Sequence, residues 1–410
     1  MIPREEILES AREKELIPHV VEKDYVLGWV LMGIAQHPML KGWIFKGGTC
    51  LKKCFFETYR FSEDLDFTVP DGVAYDAGSY RAALVECAAA MTEETGIRMP
   101  ESDIEVKESW DKADRKTFQA KISYRGPLMP QSSTPPRIKI DLTKHEVIVE
   151  RPELRPIRHF YSDALEPPIS MLCYTVNEVL AEKARALYER QGRARDLFDV
   201  VNISRNYREE IEPHRTLAVL KEKFRFKGLP LPARDEFIGA IDYQVLETNW
   251  DQQLRHQLPV LPPVQSYFEE LRESALWWMQ IRPRIAEPPR IPIRDGEIAV
   301  PRTPFPQLGR GGLAASTTMG RGIVAGGGTL DRVRYAARNR LRAEILYHGV
   351  SRLTEPYSLR IRGTGNLLLY VHEILRGSFS SGQTKAYKVS EIQGARVSEQ
   401  PFQPRYAVEL

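Results

Sequence analysis

The stretch 44–68, which reads IFKGGTCLKKCFFETYRFSEDLDFT, constrains the fold of this chain more than any other. An apolar run ends in a Gly-Gly-Thr turn at 47–49, and a second run carries Asp64 and Asp66 at alternate positions. Because side chains two residues apart in a strand point to the same face, the two carboxylates converge while their apolar neighbours enter the core. Paired carboxylates repel unless a cation lies between them, and oxygen ligands suit Mg²⁺ or Mn²⁺. The stretch therefore predicts a metal site that handles phosphate.

The glycine turn is the second part of this predicted site. Glycine lets the backbone turn tightly and approach a ligand closely. Residues 49–56 then read as a helix, whose first amides face any anion beside Gly47 and Gly48. The turn is therefore a candidate phosphate-binding element.

A third strand carboxylate lies at Asp141. The segment 137–142, RIKIDL, alternates like the first carboxylate strand, which puts three apolar residues on one face and Lys139 and Asp141 on the other. Asp141 is thus placed to join Asp64 and Asp66. The alternative for Asp141 is an ion pair with Lys139. For Asp64 and Asp66, the alternative is that an Asp-x-Asp pair alone is common in turns and salt bridges.

Helical patterns dominate most of the remaining residues before position 281. We predict helices over residues 4–15, 19–36, 80–96 and 175–190 and from 195 onward, and strands over 44–46, 61–69, 117–124 and 137–142. Thr175 and Glu178 match a capping box, in which each side chain satisfies the other residue's free amide. Lys183 lies on the helix that this box begins. The pattern predicts an α/β (α+β) fold with a mixed sheet and a helical middle region.

The chain has the composition of a soluble protein of two or three domains, with 410 residues, 42% hydrophobic residues and 28% charged residues. It lacks the apolar run of about 18 residues that a membrane span requires. The charged N-terminus does not read as a signal peptide. Its four cysteines show neither metal-finger spacing nor a disulfide framework. We therefore expect a cytoplasmic protein without a membrane partner.

Charge divides the chain into two unlike parts. Residues 281–410 carry 20 Lys and Arg against 10 Asp and Glu, whereas residues 1–280 carry 38 against 45. Residues 281–329 are rich in Pro, Arg and Gly and read as a linker or a weakly ordered segment. Residues 330–410 read as a small β-rich domain, with strand-like pieces at 358–362, 367–371, 386–389 and 406–410. This basic domain is either a surface for phosphate or simply a soluble basic domain.

Four motifs in this order resemble the AbiEii/AbiGii toxin family of the nucleotidyltransferase superfamily. They are FKGGTCLKK, RFSEDLDFT, the helix around 182–184 and the segment RDLFD at 195–199, and EKDY at 22–25 also looks like that family. The resemblance covers residues 15–205. It implies a nucleotidyltransferase core over 1–170 and a helical region over 171–280 that completes the active site.

The resemblance also implies roles for single residues. Asp64 and Asp66 would hold Mg²⁺ or Mn²⁺ against a nucleoside triphosphate, and Asp141 would complete the metal site and help to activate an acceptor hydroxyl. Lys183 would neutralise the charge that builds up on departing pyrophosphate. Asp196 matches the last motif, either as a catalytic residue or as a carboxylate that holds Lys183 or Arg195. The nucleotide would be bound by Gly47, Gly48, Thr49 and Lys183.

Residues 330–410 resemble a WYL domain, a β-rich module associated with ligand sensing and nucleic-acid binding. The likeness rests on RLR at 340–342, EPYSL at 355–359 and PF at 401–402, and it departs at 367–369, where Leu-Leu-Leu replaces Trp-Tyr-Leu. Four arginines are candidate phosphate ligands, with ordinary solvation as the alternative: Arg340, Arg342, Arg360 and Arg362.

These observations predict a metal-dependent nucleotidyltransferase toxin of an abortive-infection or toxin–antitoxin system. By the family resemblance, it would transfer NMP from an NTP to RNA, such as the 3′ end of a tRNA, and would have a cognate antitoxin. One alternative is a sensor or regulatory protein that binds nucleotide without turnover. Another is nucleotide transfer to a protein hydroxyl. We interpret Glu22-Lys23-Asp24 as a salt-bridge cluster and His145 as a surface histidine.

Overall fold

The computed structural model describes residues 1–56, 60–111, 114–128, 135–279, 288–300 and 327–410. The chain divides into two compact units, Met1–Pro259 with Leu271–Ile281 and Val260–Glu270 with Arg282–Leu410. The fold is α/β, with a mixed sheet in the first unit and a separate antiparallel sheet in the second, as the sequence predicted. None of the described helices has the length and apolar character to cross a membrane.

The first unit is built on seven strands: β1 (Ile44–Lys46), β2 (Asp64–Thr68), β3 (Ile104–Trp110), β4 (Lys116–Ser123), β5 (Arg137–Thr143), β6 (Glu153–Pro156) and β7 (Ser170–Cys173). Their order in the sheet is β3-β4-β5-β2-β1-β7-β6. Strand β2 is antiparallel to β1 and parallel to β5. Its central place brings the two predicted carboxylate strands side by side.

Helices supply the remaining regular structure of this part of the chain. They are α1 (Arg4–Glu13), α2 (Pro18–Gln36), α3 (Gly47–Cys50), α4 (Ala77–Thr95), α5 (Val176–Glu189), α6 (Ala194–Asn206), α7 (Pro213–Phe226), α8 (Arg234–Gly239), α9 (Tyr243–Leu254) and α10 (Val264–Trp278), the last with residues in both units. The predicted helices agree closely with α1, α2, α4 and α5. Strands β3, β6 and β7 were not predicted.

Alternation along β2 and β5 decides which face of the sheet is apolar. Leu65 and Phe67 of β2 are fully buried, and so are the three apolar residues of β5. Phe67 packs on Trp43, which meets Tyr80 of α4 edge to face. Helix α4 thus covers the apolar face, which leaves the opposite face of β2 and β5 for their polar side chains.

Two local predictions need correction. The helix predicted over 49–56 begins at Gly47, and residues Leu51–Phe55 form a π-helical turn. The capping box is half formed: the Thr175 hydroxyl accepts from the Glu178 amide at 3.2 Å. The Glu178 carboxylate instead accepts from the Val149 and Glu150 amides, the latter at 2.8 Å, because these amides and Lys223 surround it.

The second unit contains β8 (Glu297–Ala299), α11 (Gly327–Arg338), β9 (Leu341–Tyr347), β10 (Val350–Arg362), β11 (Leu367–Arg376), β12 (Phe379–Lys388) and β13 (Ile392–Pro401). Five strands follow the order β12-β11-β10-β9-β13, and β8 pairs with β10. Three predicted strand pieces fall on β10, β11 and β12. The fourth, 406–410, is not a strand, although Ala407, Val408 and Leu410 are buried.

Residues 288–300, within the predicted linker, form part of the second unit. Ile291 is buried in the core of the second unit, and β8 forms antiparallel pairs with β10. Buried Glu297 also accepts a hydrogen bond from Tyr370 at 2.8 Å. These few contacts order a segment that is poor in apolar residues. Most of the other residues in the predicted linker lie outside the described part of the chain.

Candidate active site

Three carboxylates lie together on the polar face of the central strands. Asp66 of β2 is paired in register with Asp141 of β5, and Asp64 lies two residues earlier on the same face. Gln119 of β4, the next strand, donates to an Asp141 oxygen at 2.9 Å. The structure therefore brings together the three carboxylates that the sequence nominated.

The glycine turn lies directly against Asp66. Gly47 has a φ of +80°, and a Cβ atom built there would be 2.2 Å from an Asp66 carboxylate oxygen. A Cβ atom on Gly48 would be 2.6 Å from the guanidinium of Arg60. The backbone of the turn therefore lies close against both side chains, with Asp66 beside Gly47 and Arg60 beside Gly48.

Thr49 has a structural contact that the sequence did not reveal. Its side chain is buried, and its hydroxyl donates to the Asp64 carbonyl at 2.6 Å. This bond ties the start of α3 to β2. The hydroxyl is therefore bonded to the backbone. The nucleotide contact predicted for Thr49 would come from its amide instead.

Lys46 and Glu146 are site residues that sequence reasoning missed. Lys46, the last residue of β1, is paired in register with Asp66, and its ammonium bonds to Glu146. Glu146 also accepts from Thr68 at 3.0 Å and Tyr174 at 3.1 Å. The position of Lys46 just before the glycine turn could have identified it as a site residue. Glu146 lies in a loop, so no sequence spacing identified it.

Burial and neighbouring charge both act on Asp66. Burial raises its pKa, Lys46 and Lys183 lower it, and Asp141 and Asp64 raise it, with a result of about 6. The neutral form is thus favoured more than in an ordinary aspartate, because like charges crowd a site with little water. A bound cation would relieve this repulsion, so the donor types fit a hard divalent ion.

Lys183 and Asp196 come from α5 and α6. The Lys183 ammonium pairs with Asp199 at 2.7 Å and Asp196 at 3.3 Å. Asp196 also pairs with Arg190 at 2.9 Å. Burial opposes the charge of Lys183, but these two carboxylates raise its pKa. Lys183 is therefore a fixed cation close enough to Asp66 to lower that residue's pKa, and Asp196 holds it there.

Arg60 joins the glycine turn to the helical region. Its guanidinium donates twice to the fully buried Asp199, at 2.7 and 2.8 Å, and once to Gln257 at 3.0 Å. Burial opposes ionisation of Asp199, but Arg60 and Lys183 hold its pKa well below the ordinary value. This buried pair fixes Lys183 relative to Gly48, and no local sequence spacing could have shown it.

The sequence also predicted a salt-bridge cluster at Glu22-Lys23-Asp24 and a surface histidine at His145. Lys23 pairs with Glu63 at 2.8 Å, next to Asp64. Asp24 pairs with Lys53 at 2.8 Å, and Glu22 accepts from the Leu128 amide at 2.7 Å. These three residues thus have separate partners and do not form one cluster. His145 is exposed, as predicted.

The four nominated arginines of the second unit differ in exposure. Arg360 is 2% exposed and pairs with Glu409, which does not fit the predicted phosphate contact. Arg342 donates to Gln400 at 3.0 Å, and the half-exposed Arg362 lies 3.7 Å from Glu297. Arg340 is partly exposed. Burial removes Arg360 from the surface because β10 runs through the middle of its sheet.

Comparison with known proteins covers most of the first unit. A family model described as "Nucleotidyl transferase AbiEii toxin, Type IV TA system" matches residues 29–274, more than half of the chain. No curated protein matches the sequence. The family match includes the glycine turn, the three carboxylates and both helices that carry Lys183 and Asp196. It does not reach β9–β13, so the WYL-like interpretation stays a prediction. The chain belongs to the AbiEii family of nucleotidyltransferase toxins of type IV toxin–antitoxin systems.

Proposed function

We propose that this protein is a metal-dependent nucleotidyltransferase that transfers NMP from an NTP to an RNA acceptor, such as the 3′ end of a tRNA. One observation carries the proposal: the glycine turn lies against Asp66, which is paired in register with Asp141. In this proposal the turn would supply amide donors for phosphate, and the carboxylates beside it would supply ligands for a metal ion. The proposed setting is the cytoplasm, where a cognate antitoxin restrains the toxin and its release halts translation during phage infection.

The carboxylates divide the chemistry between them. Asp64 and Asp66, with Asp141, would hold Mg²⁺ or Mn²⁺, which supplies charge neutralisation at the phosphates. Asp141 would accept the proton of the acceptor hydroxyl. The hydroxyl oxygen then bonds to the α-phosphorus as the bond between the α-phosphorus and its bridging oxygen breaks, and pyrophosphate leaves.

Lys183 and the glycine turn are proposed to contact the phosphates. The amides of Gly48 and Thr49 would donate to them, and Lys183 would neutralise charge on the leaving pyrophosphate. Lys183 is fixed by two carboxylates, so it needs little reorganisation when that charge develops. Asp196 acts in this scheme as a positioning residue.

The second unit is proposed to capture the acceptor. Its excess of arginine suits phosphate, and Arg340, Arg342 and Arg362 keep the exposure that such contacts need, whereas Arg360 does not. Salt-sensitive RNA binding by the full chain, weakened by Arg362→Gln, is the expected result. Binding that is insensitive to salt would contradict a phosphate-contacting surface.

Label transfer tests the proposed activity directly. Purified protein is incubated with Mg²⁺, each α-labelled NTP and total RNA, and the products are separated. Transfer should occur with wild type and disappear with Asp64→Ala/Asp66→Ala. Asp71→Asn is a suitable control because its carboxylate lies just after β2 but is 98% exposed.

Three outcomes would contradict the proposal in different ways. Nucleotide binding without turnover would favour the sensor function. Label on protein would favour transfer to a protein hydroxyl. Equal transfer by wild type and the double variant would show that the carboxylates are not the catalytic metal site.

A further inference from the structure

A cluster of three cysteines lies in the core, apart from the carboxylate site. Cys50 follows the glycine turn, Cys54 lies in the π-helical turn, and Cys173 ends β7. Their sulfur atoms all lie within 4.8 Å of one another, and each residue is 1% exposed or less. Four zinc ligands at about 2.3 Å from the ion lie roughly 3.8 Å apart, so small movements bring these sulfurs to that spacing.

The surroundings of the cluster suit a bound cation better than three inert thiols. The Cys50 thiol lies 3.5 Å from the Phe45 carbonyl oxygen, and the Cys173 thiol lies 3.6 Å from the Met171 carbonyl oxygen. Either carbonyl is a candidate fourth donor.

Arg158 provides a second, independent observation. Its residue is 7% exposed, and its Nε atom is buried without a hydrogen-bond partner. The Arg158 amide donates to the carbonyl of Lys53 at 2.7 Å. Lys53 directly precedes Cys54, so this bond holds the Arg158 backbone near the cluster. A buried guanidinium with one nitrogen left without a partner is suited to a negatively charged group nearby.

We propose that Cys50, Cys54 and Cys173 bind one structural Zn²⁺ ion. Three thiolates and Zn²⁺ carry a net charge of −1, which Arg158 balances. Three thiolates and a monovalent ion such as Cu⁺ carry a net charge of −2, so one negative charge would remain after Arg158 is counted. Because the thiols are inaccessible in the folded chain, the ion enters as the chain folds.

The position of the ion links it to the active site. Cys173 is paired in register with Phe45 of β1, and Cys50 directly follows Thr49. The ion therefore joins the strand before the glycine turn, the helix after it, and β7. Its structural role is to hold the turn in place, and the proposal does not depend on the nucleotidyltransferase reaction.

Metal content of the purified full chain tests the site. The protein is refolded with Zn²⁺ under reducing conditions, desalted and measured by elemental analysis. Wild type should retain about one zinc ion per chain, and Cys54→Ser should retain about tenfold less. Cys87→Ser is the matched control, since Cys87 is also buried but bonds to the Gly33 carbonyl at 3.5 Å instead. Asp64→Ala/Asp66→Ala should keep its zinc.

A second measurement uses wild type, so it does not depend on the folding of a variant within the cysteine cluster. Wild type refolded with Cd²⁺ should show the ultraviolet charge-transfer absorption of cadmium–thiolate bonds, and Cys87→Ser should show it equally. Absence of this absorption would overturn the proposal. So would equal zinc in wild type and Cys54→Ser, loss of zinc with the aspartate variants, or a disulfide within the cluster in protein refolded with Zn²⁺.

Discussion

Replacement of Gly47 by alanine tests the contact between the glycine turn and Asp66. Gly47 and Gly72 both have a left-handed backbone, with φ of +80° and +86°. A Cβ atom at Gly47 meets an Asp66 oxygen at 2.2 Å, whereas a Cβ atom at Gly72 meets nothing within 4 Å. Gly72→Ala therefore reports the backbone strain alone, and Gly47→Ala reports strain plus the clash.

The structure sets the size of each effect. Alanine in the left-handed region costs about 1–2 kcal/mol, so Gly72→Ala should lose that much stability and Gly47→Ala at least that much. Ordinary contact begins at 3.4 Å, so the clash at Gly47 forces the carboxylate or the turn to move by about 1.2 Å. A misplacement near 1 Å can cost about a hundredfold in rate, or roughly 2.7 kcal/mol in the barrier.

The assay compares the two variants by label transfer and by urea denaturation. Gly47→Ala should transfer nucleotide about a hundredfold more slowly than wild type, while Gly72→Ala stays within about threefold. Mg²⁺ affinity, measured by calorimetry, should fall in Gly47→Ala alone. If Gly47→Ala matches Gly72→Ala in transfer rate and Mg²⁺ affinity, then the turn and Asp66 do not act together as the geometry requires.

Three further predictions follow from the charged network. Asp196→Asn weakens the hold on Lys183 and should lower kcat about tenfold with little change in the nucleotide KM, measured by steady-state label transfer. Arg60→Leu strips the buried Asp199 of its bidentate partner and should lower the free energy of unfolding by about 3–5 kcal/mol in urea denaturation. Because burial and the neighbouring carboxylates raise the pKa of Asp66 to about 6, Mg²⁺ must displace a proton below that pH. Calorimetry should therefore show Mg²⁺ affinity falling about tenfold per pH unit below 6.

Each of these predictions has a control or an opposing result. Arg81→Leu removes an exposed ion pair with Glu101 and should change stability by less than about 1 kcal/mol. An Arg60→Leu loss of that small size would show that Asp199 does not depend on its partner. A change in nucleotide KM alone for Asp196→Asn, or pH-independent Mg²⁺ affinity, would contradict the positions assigned to Lys183 and Asp66.

Local patterns in the sequence determined much of the active site. Alternation in β2 and β5 decided which side chains face the core, so Asp64, Asp66 and Asp141 could be placed on polar faces before the strands were paired. Thr175 and the apolar spacing likewise located α5. These predictions hold because they depend on residues two to four apart, whose relative directions follow from backbone geometry alone.

Tertiary structure alone decided which of these faces meet and what supports them. The Arg60–Asp199 pair, the Lys46–Glu146 contact and the cysteine cluster join residues far apart in the chain, so no local spacing announces them. The same cause explains why composition did not reveal the contacts of 288–300, where β8 pairs with β10. Such contacts form only when the whole core assembles, since burial and charge compensation depend on every neighbour at once.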